Sequence, residues 1–296
     1  MSFIPSLNIT PEKISLDLFF KKNIQAYVLR LDKIHPVISG NKWFKLRYYI
    51  EDAIRQNKKT IVTFGGAWSN HIIATAAACK EAGLNSIGII RGEKANQLSP
   101  TLSQAKEFGM NLIFIKREDY HYKKIPVELN EDDYYLINEG GYGIKGAEGA
   151  ATILDNFDHK NYTHVCCAVG TGTMLAGLTN KILFLQKTIG ISILKNNISL
   201  DEKVKVLLIN KEKNFEIIHD YYFGGYAKYT AALINFMNEF YQQTNIPSDF
   251  VYTGKLFYAI ANLIKNDFFL PNSKLLIIHS GGLQGNASLK EGTLIF

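Results

Sequence analysis

The sequence predicts an α/β protein with two open, twisted, mainly parallel sheets covered by helices on both faces. Three observations carry that reading. Short apolar runs rich in β-branched and aromatic residues recur along the whole chain, amphipathic stretches of helical period separate them, and several of the connecting loops are broken by glycine. Alternation of this kind implies right-handed crossovers between parallel strands.

In order, the expected strands are 27–31, 60–64, 86–90, 111–115, 134–137, 164–169, 204–209 and 274–278. The expected helices are 43–56, 70–82, 101–108, 173–185, 228–241 and 256–264. Residues 116–133 and 196–203 are hydrophilic and read as surface connections. At 296 residues the chain suits two joined lobes. The division expected is a larger unit of residues 1–49 and 161–296 with a smaller αβα unit, 50–160, inserted between them.

Composition removes several classes of function. Hydrophobic residues make up 47% and charged residues 20%, which is an ordinary globular balance. The formal charge of +6 comes from scattered pairs such as Lys21-Lys22 and Lys58-Lys59, so nucleic acid is not an expected partner. No apolar run is long enough to span a membrane, and MSFIPSLNITPEK lacks the features of a secretory signal, so a cytoplasmic location is expected. Cys79, Cys166 and Cys167 read as reduced, buried thiols, and the seven histidines show no metal-ligand spacing.

In open parallel sheets, ligands bind outside the carboxyl ends of the strands. The first loop of interest is SGNKWFKL, beginning at Ser39, which sets Lys42 at a helix entrance. The positive end of the helix dipole disfavours an ammonium there, lowers the lysine pKa, and suits the amine for imine formation and proton transfer. Taken alone, this motif is more often a surface turn. The second loop is GGAWSNH, in which Ser69 caps a helix and Ser69, Asn70 and His71 are placed to grip a carboxylate. A purely structural cap explains the same residues.

The third loop, VGTGTMLAGL, follows a buried strand. Its Gly170, Thr171, Gly172 and Thr173 read as a phosphate cradle in which backbone, hydroxyls and helix dipole act together, with a tight turn between strand and helix as the alternative. The nucleotide fingerprints GxGxxG and GxxxxGK[ST] are absent. Two further loops place Tyr252, in VYTGK, and Ser280, in IHSGG; alone, each reads equally well as an ordinary loop, and their joint occurrence with the others raises their standing. An amine, a carboxylate grip, a phosphate cradle, a phenol and a terminal hydroxyl make one coherent site.

Taken in order, these segments resemble the fold type II (tryptophan synthase beta-like) pyridoxal phosphate (PLP) enzymes. Within them the resemblance is to the family of 1-aminocyclopropane-1-carboxylate (ACC) deaminases and D-cysteine desulfhydrases. It implies that Lys42, not Lys45, carries PLP, and that Ser69, Asn70 and His71 bind the substrate carboxylate. It implies further that Asn70 borders the cofactor ring, that Gly170 to Thr173 hold its phosphate, and that Ser280 faces the pyridine nitrogen. Ser69 and Tyr252 match catalytic positions, and a homodimer is implied.

ACC deaminases carry glutamate directly after the tyrosine, where it can keep the ring nitrogen protonated. This chain has Thr253. A neutral hydroxyl there favours β-elimination from D-cysteine, giving pyruvate, ammonia and sulfide, over ACC ring opening. A non-catalytic binder of PLP or another phosphorylated metabolite is the reading from a different class. Trp43-Phe44, Trp68 and Tyr142-Gly143 depart from the family pattern around the pocket and leave the substrate open.

Overall fold

The computed structural model describes residues 9–35, 37, 38, 40–212 and 214–296. Ser39, the first residue of the lysine loop, and the first eight residues of the N-terminal segment lie outside that set. Two sheets organise the chain. The larger has six strands in the order β1-β2-β10-β7-β8-β9, namely Glu12–Ile14, Gln25–Arg30, Lys274–His279, His164–Val169, Lys187–Ser192 and Phe215–Ile218. Only β1 runs antiparallel, and the other pairs are parallel. The smaller is a parallel sheet in the order β5-β4-β3-β6: Met110–Ile115, Asn85–Arg91, Thr60–Gly65 and Tyr134–Ile137.

Strands buried on both faces must be apolar throughout, and β10 shows why. Leu276 and Ile278 enter the core that spans the space between the sheets, while Leu275 and Ile277 enter the opposite core. Along β7 the same alternation sends Val165, Cys167 and Val169 one way and Cys166 and Ala168 the other. The helices in order are α1 (Asp17–Lys21), α2 (Asn41–Arg55), α3 (Asn70–Ala82), α4 (Pro100–Glu107), α5 (Arg117–His121), α6 (Ile144–Ala151), α7 (Thr173–Lys181), α8 (Leu200–Val206), α9 (Ala231–Thr244) and α10 (Thr253–Lys265). Between the sheets, α2, α6 and α7 pack backbone to backbone: a methyl group on Gly149 would fall 2.1 Å from the Phe44 carbonyl oxygen. Among the described residues no helix is long and apolar enough to cross a membrane.

One expected strand, 204–209, is wrong. Its first three residues end α8, and the rest form a turn. Leu200, Val204, Leu207 and Leu208 are the buried positions, a helical spacing, whereas Val206 and Ile209 are exposed. Acidic residues in the first turn and lysines in the last favour the helix dipole. Asn180 then fixes the exit, donating to the Leu207 carbonyl at 3.0 Å and accepting from the Ile209 amide at 2.9 Å. The true strands on that side are β8 and β9, which the sequence reading did not identify. The expected helix 173–185 overruns for the same reason, because α7 ends at Lys181 and the chain turns into β8.

Candidate active site

The carboxyl ends of the parallel strands of both sheets open onto one cavity of about 1260 Å³. Lys42, Ser69, Asn70, His71, Gly170, Thr171, Gly172, Tyr252 and Ser280 all line it. Thr173 does not. It is fully buried, with its hydroxyl oxygen 3.0 Å from that of Thr171.

Lys42 is the second residue of α2, directly after Gly40 at the N-cap and Asn41. The Asn41 amide donates to the Ser280 carbonyl at 3.2 Å, tying the start of α2 to the end of β10. Burial in the cavity wall lowers the Lys42 pKa to about 8. One turn on, Lys45 turns its amine into the same cavity, 3.4 Å from the Gly140 carbonyl. Burial, and then the charge of Lys42, hold Lys45 well below the usual lysine range. Sequence reasoning set Lys45 aside because the motif singles out one lysine. The spacing of three residues within a helix was the signal that both amines share a face.

Ser69 caps α3, its Oγ accepting from the Ile72 amide at 3.4 Å. Asn70 follows, with its side-chain oxygen buried and unpartnered. His71 is turned away from the loop toward Thr63. The Thr63 hydroxyl donates to the Ile137 carbonyl at 2.7 Å, so it accepts the Nε2 proton of His71 at 2.9 Å. That fixes the tautomer and leaves Nδ1 a buried acceptor without a partner. Burial, then the charges of Lys42 and Lys45, keep the ring neutral. A ring in this state donates nothing to a carboxylate. The donor His71 can offer is its backbone N–H in the first turn of α3, where no intrahelical acceptor exists.

At the start of α7, Gly172 is the N-cap with φ +86° and supplies no side-chain acceptor to the first-turn amides. Those amides, with the Thr171 hydroxyl, suit an anion. With the depressed amine of Lys42 as the imine-forming group and the unpartnered Asn70 oxygen as an acceptor, they make a set of groups that fits PLP. No group of three or more His, Cys, Asp or Glu side chains suited to a metal ion occurs among the described residues.

Tyr252 stands beside the phosphate loop, where a methyl group on Gly170 would lie 3.4 Å from its ring. Burial, then the neighbouring Tyr226, raise its pKa well above the usual tyrosine value. The rings meet edge-on with centroids 6.3 Å apart. Tyr226 follows the pair Gly224-Gly225 in the loop after β9. The expected strands do not include β9, so the loop after it escapes the sequence reading, although the glycine pair marks it.

Thr253 departs from its expected place. Its hydroxyl donates to Asp249 Oδ1 at 2.7 Å and accepts from the Asp249 amide at 2.8 Å, in a fully buried setting away from the cavity. Asp249 in turn accepts from the amides of Val251, Tyr252 and Thr253 at 2.8–3.0 Å. The pair is the clamp that shapes the Tyr252 turn. Thr253→Val, which keeps the shape and removes both bonds, should lower the unfolding free energy by about 2–3 kcal/mol. Urea titration checks this; an unchanged midpoint contradicts the clamp.

The chain was then compared with known proteins. A family model described as "Pyridoxal-phosphate dependent enzyme" matches residues 9–281. A provisionally named 1-aminocyclopropane-1-carboxylate deaminase of Thermotoga maritima is 30% identical, over 95% of this chain and 96% of its own. The bifunctional D-cysteine desulfhydrase/1-aminocyclopropane-1-carboxylate deaminase of Arabidopsis thaliana, a mitochondrial protein, is 27% identical over 88% of this chain and 73% of its own. A crystal structure titled as that of an ACC deaminase homologue superposes with a TM-score of 0.81 at 25% identity. It covers 96% of this chain and 92% of that one.

Proposed function

The chain belongs to the pyridoxal-phosphate-dependent enzymes, in the group that holds the ACC deaminases and D-cysteine desulfhydrases, and from that premise we propose that it is a β-eliminating lyase acting on a small amino acid. D-cysteine is the reference substrate. The observation that carries this reading is the convergence on one cavity of a lysine amine near pKa 8, a capped helix start and a phosphate cradle, while Thr253, which stands where a deaminase has glutamate, is buried outside that cavity and puts no carboxylate into it.

Gly170, Thr171 and Gly172 would hold the cofactor phosphate, with Thr173 steadying Thr171 from behind. Ser280 would face the ring nitrogen and Asn70 the ring. When bound, pyridoxal phosphate supplies an electron sink that makes the Cα proton removable. The substrate carboxylate is assigned to Ser69, Asn70 and the first-turn amides of α3, including that of His71. In this reading the Lys42 amine takes the Cα proton, the Cβ–S bond breaks with its electron pair on sulfur, and Tyr252 supplies a proton to the leaving group. The three-carbon enamine left after release takes up water to give pyruvate and ammonia.

The large unit is proposed as 1–49 and 161–296 and the inserted one as 50–160, which the strand membership of the two sheets supports. The homodimer remains part of the proposal.

The test is a panel of D-cysteine, L-cysteine and ACC with keto-acid and ammonia release measured for each. Fastest turnover of D-cysteine supports the reading. Faster turnover of ACC transfers the chain to the deaminase branch, and no product from any compound favours a non-catalytic binder.

The depressed Lys42 pKa has its own consequence. Only the unprotonated amine attacks an aldehyde, so covalent loading of PLP into the apo protein should accelerate with pH and level off a little above pH 8. Stopped-flow absorbance measures it. A rate still rising at pH 10 would mean an ordinary, solvated lysine.

A further inference from the structure

The cavity is larger than a cofactor and a three-carbon amino acid require: small-molecule pockets run to roughly 300–1,000 Å³, against about 1260 Å³ here. Part of its lining follows the carboxyl edge of the smaller sheet, where Arg91 ends β4 and Arg117 opens α5 after β5. Adjacent parallel strands lie about 4.8 Å apart, and β3, which leads into the Ser69 loop, pairs with β4. Arg91 therefore stands one strand from that loop and Arg117 two. Side-chain positions agree. A methyl group on Gly66, in the loop itself, would lie 4.0 Å from Arg91 Nη2, and one on Gly92 would lie 3.9 Å from Arg117 Nε.

Neither guanidinium is neutralised by an ion pair among the described residues. Arg91 has only the face of Tyr120, at 5.9 Å from the ring centroid. The nearby carboxylate, Glu139, is taken by the Tyr120 hydroxyl at 2.6 Å and by an ion pair with Lys123. Both arginines also line a smaller adjoining pocket with Tyr120, His121, Lys123 and Glu139. The local balance of Arg91, Arg117 and Lys123 against Glu139 is cationic, and it opens into the cavity that holds Lys42.

From this we infer that Arg91 and Arg117 form a subsite for a second anionic group, so that the enzyme prefers amino acids whose β-substituent ends in a carboxylate, phosphate or similar oxyanion. The inference rests on the β-elimination reading and names the substrate class for the same site. Planar guanidinium forks suit such groups because they can bind two oxygens at once.

The test compares S-(carboxymethyl)cysteine with its isosteric amide, S-(carbamoylmethyl)cysteine, both enantiomers of each, on the PLP-loaded enzyme, with D-cysteine as reference. The two thioethers differ only in the terminal charge. The acid is expected to show at least about a tenfold lower KM than the amide, the size of one lost charge-assisted contact. Arg91→Gln and Arg117→Gln should each remove most of that advantage, leaving kcat and the KM for D-cysteine within about twofold. Adding salt should weaken the acid selectively. For a readout apart from turnover, the shift of the cofactor absorbance on titration with each compound should show the same preference.

Equal KM values for acid and amide would overturn the subsite, even with D-cysteine turned over well. A parallel loss for all three compounds in Arg91→Gln would also overturn it, because the arginine would then serve the shared α-carboxylate. Failure of D-cysteine and both thioethers alike, with the cofactor bound, would instead defeat the elimination reading on which the subsite depends.

Discussion

Lys42→Ala is expected to lower kcat/KM for D-cysteine by at least about 10³-fold while the protein stays folded. A positioned acid–base group contributes roughly 10²–10⁴-fold on its own, and in the proposed mechanism Lys42 both carries the cofactor and takes the Cα proton. Its side chain lies in a cavity wall rather than in a packed core, so truncation removes the amine without opening a void among apolar side chains. Lys45 does not substitute for it. Its amine sits one turn on, beside the Gly140 carbonyl, in the same cavity but away from the Gly40–Ser280 contact that seats Lys42. Steady-state kinetics with circular dichroism as the folding control reads the outcome. Activity within tenfold of the parent would remove Lys42 from the chemistry.

Gly40→Ala should damage stability and activity together, although no side chain of functional type is touched. Gly40 holds φ +68° and ψ −147°, a region that is essentially glycine's alone. A methyl group there would lie 1.8 Å from the Ser280 carbonyl oxygen, which is backbone and cannot swing aside. Strain of about 1–3 kcal/mol is joined by overpacking of similar size, so a loss of about 3 kcal/mol in unfolding free energy is expected. The same contact seats Lys42, because the Asn41 amide donates to that carbonyl. Relief of the clash must move α2 away from β10, and kcat should fall at least about tenfold. A thermal midpoint and kcat both equal to the parent's would show that the two loops are not coupled.

What the sequence revealed and what it concealed have physical reasons. Strands buried on both faces declare themselves as unbroken apolar runs, and β7 and β10 were legible for that reason. Loops that open helices after such strands were legible too, because glycine, serine and threonine mark turns and caps there, and only their joint occurrence pointed to a site. The 204–209 run misled because its apolar residues are contiguous in sequence yet serve a helix whose outer face is left apolar and exposed at Val206 and Ile209. That error hid β9, and with it Tyr226. Thr253 misled in a different way: its position beside Tyr252 was correct, but a hydroxyl follows its nearest strong acceptor, and the buried Asp249, four residues earlier, was not weighed. The tautomer of His71 depends on Thr63 and on the carbonyl of Ile137, contacts across the smaller sheet that no local pattern encodes. The pairing of Arg91 with Arg117 was hidden likewise, since the two stand 26 residues apart in sequence, one ending β4 and the other opening α5.

Lys42 is expected to bear pyridoxal phosphate, and Lys45 is its competitor: it faces the same cavity and its amine is also depressed by burial. Reduction of the holoenzyme with borohydride, followed by peptide mapping, distinguishes them directly. A stable cofactor adduct on Lys42 is the expected result. An adduct on Lys45 or any other lysine, or none in protein that contains the cofactor, would contradict it.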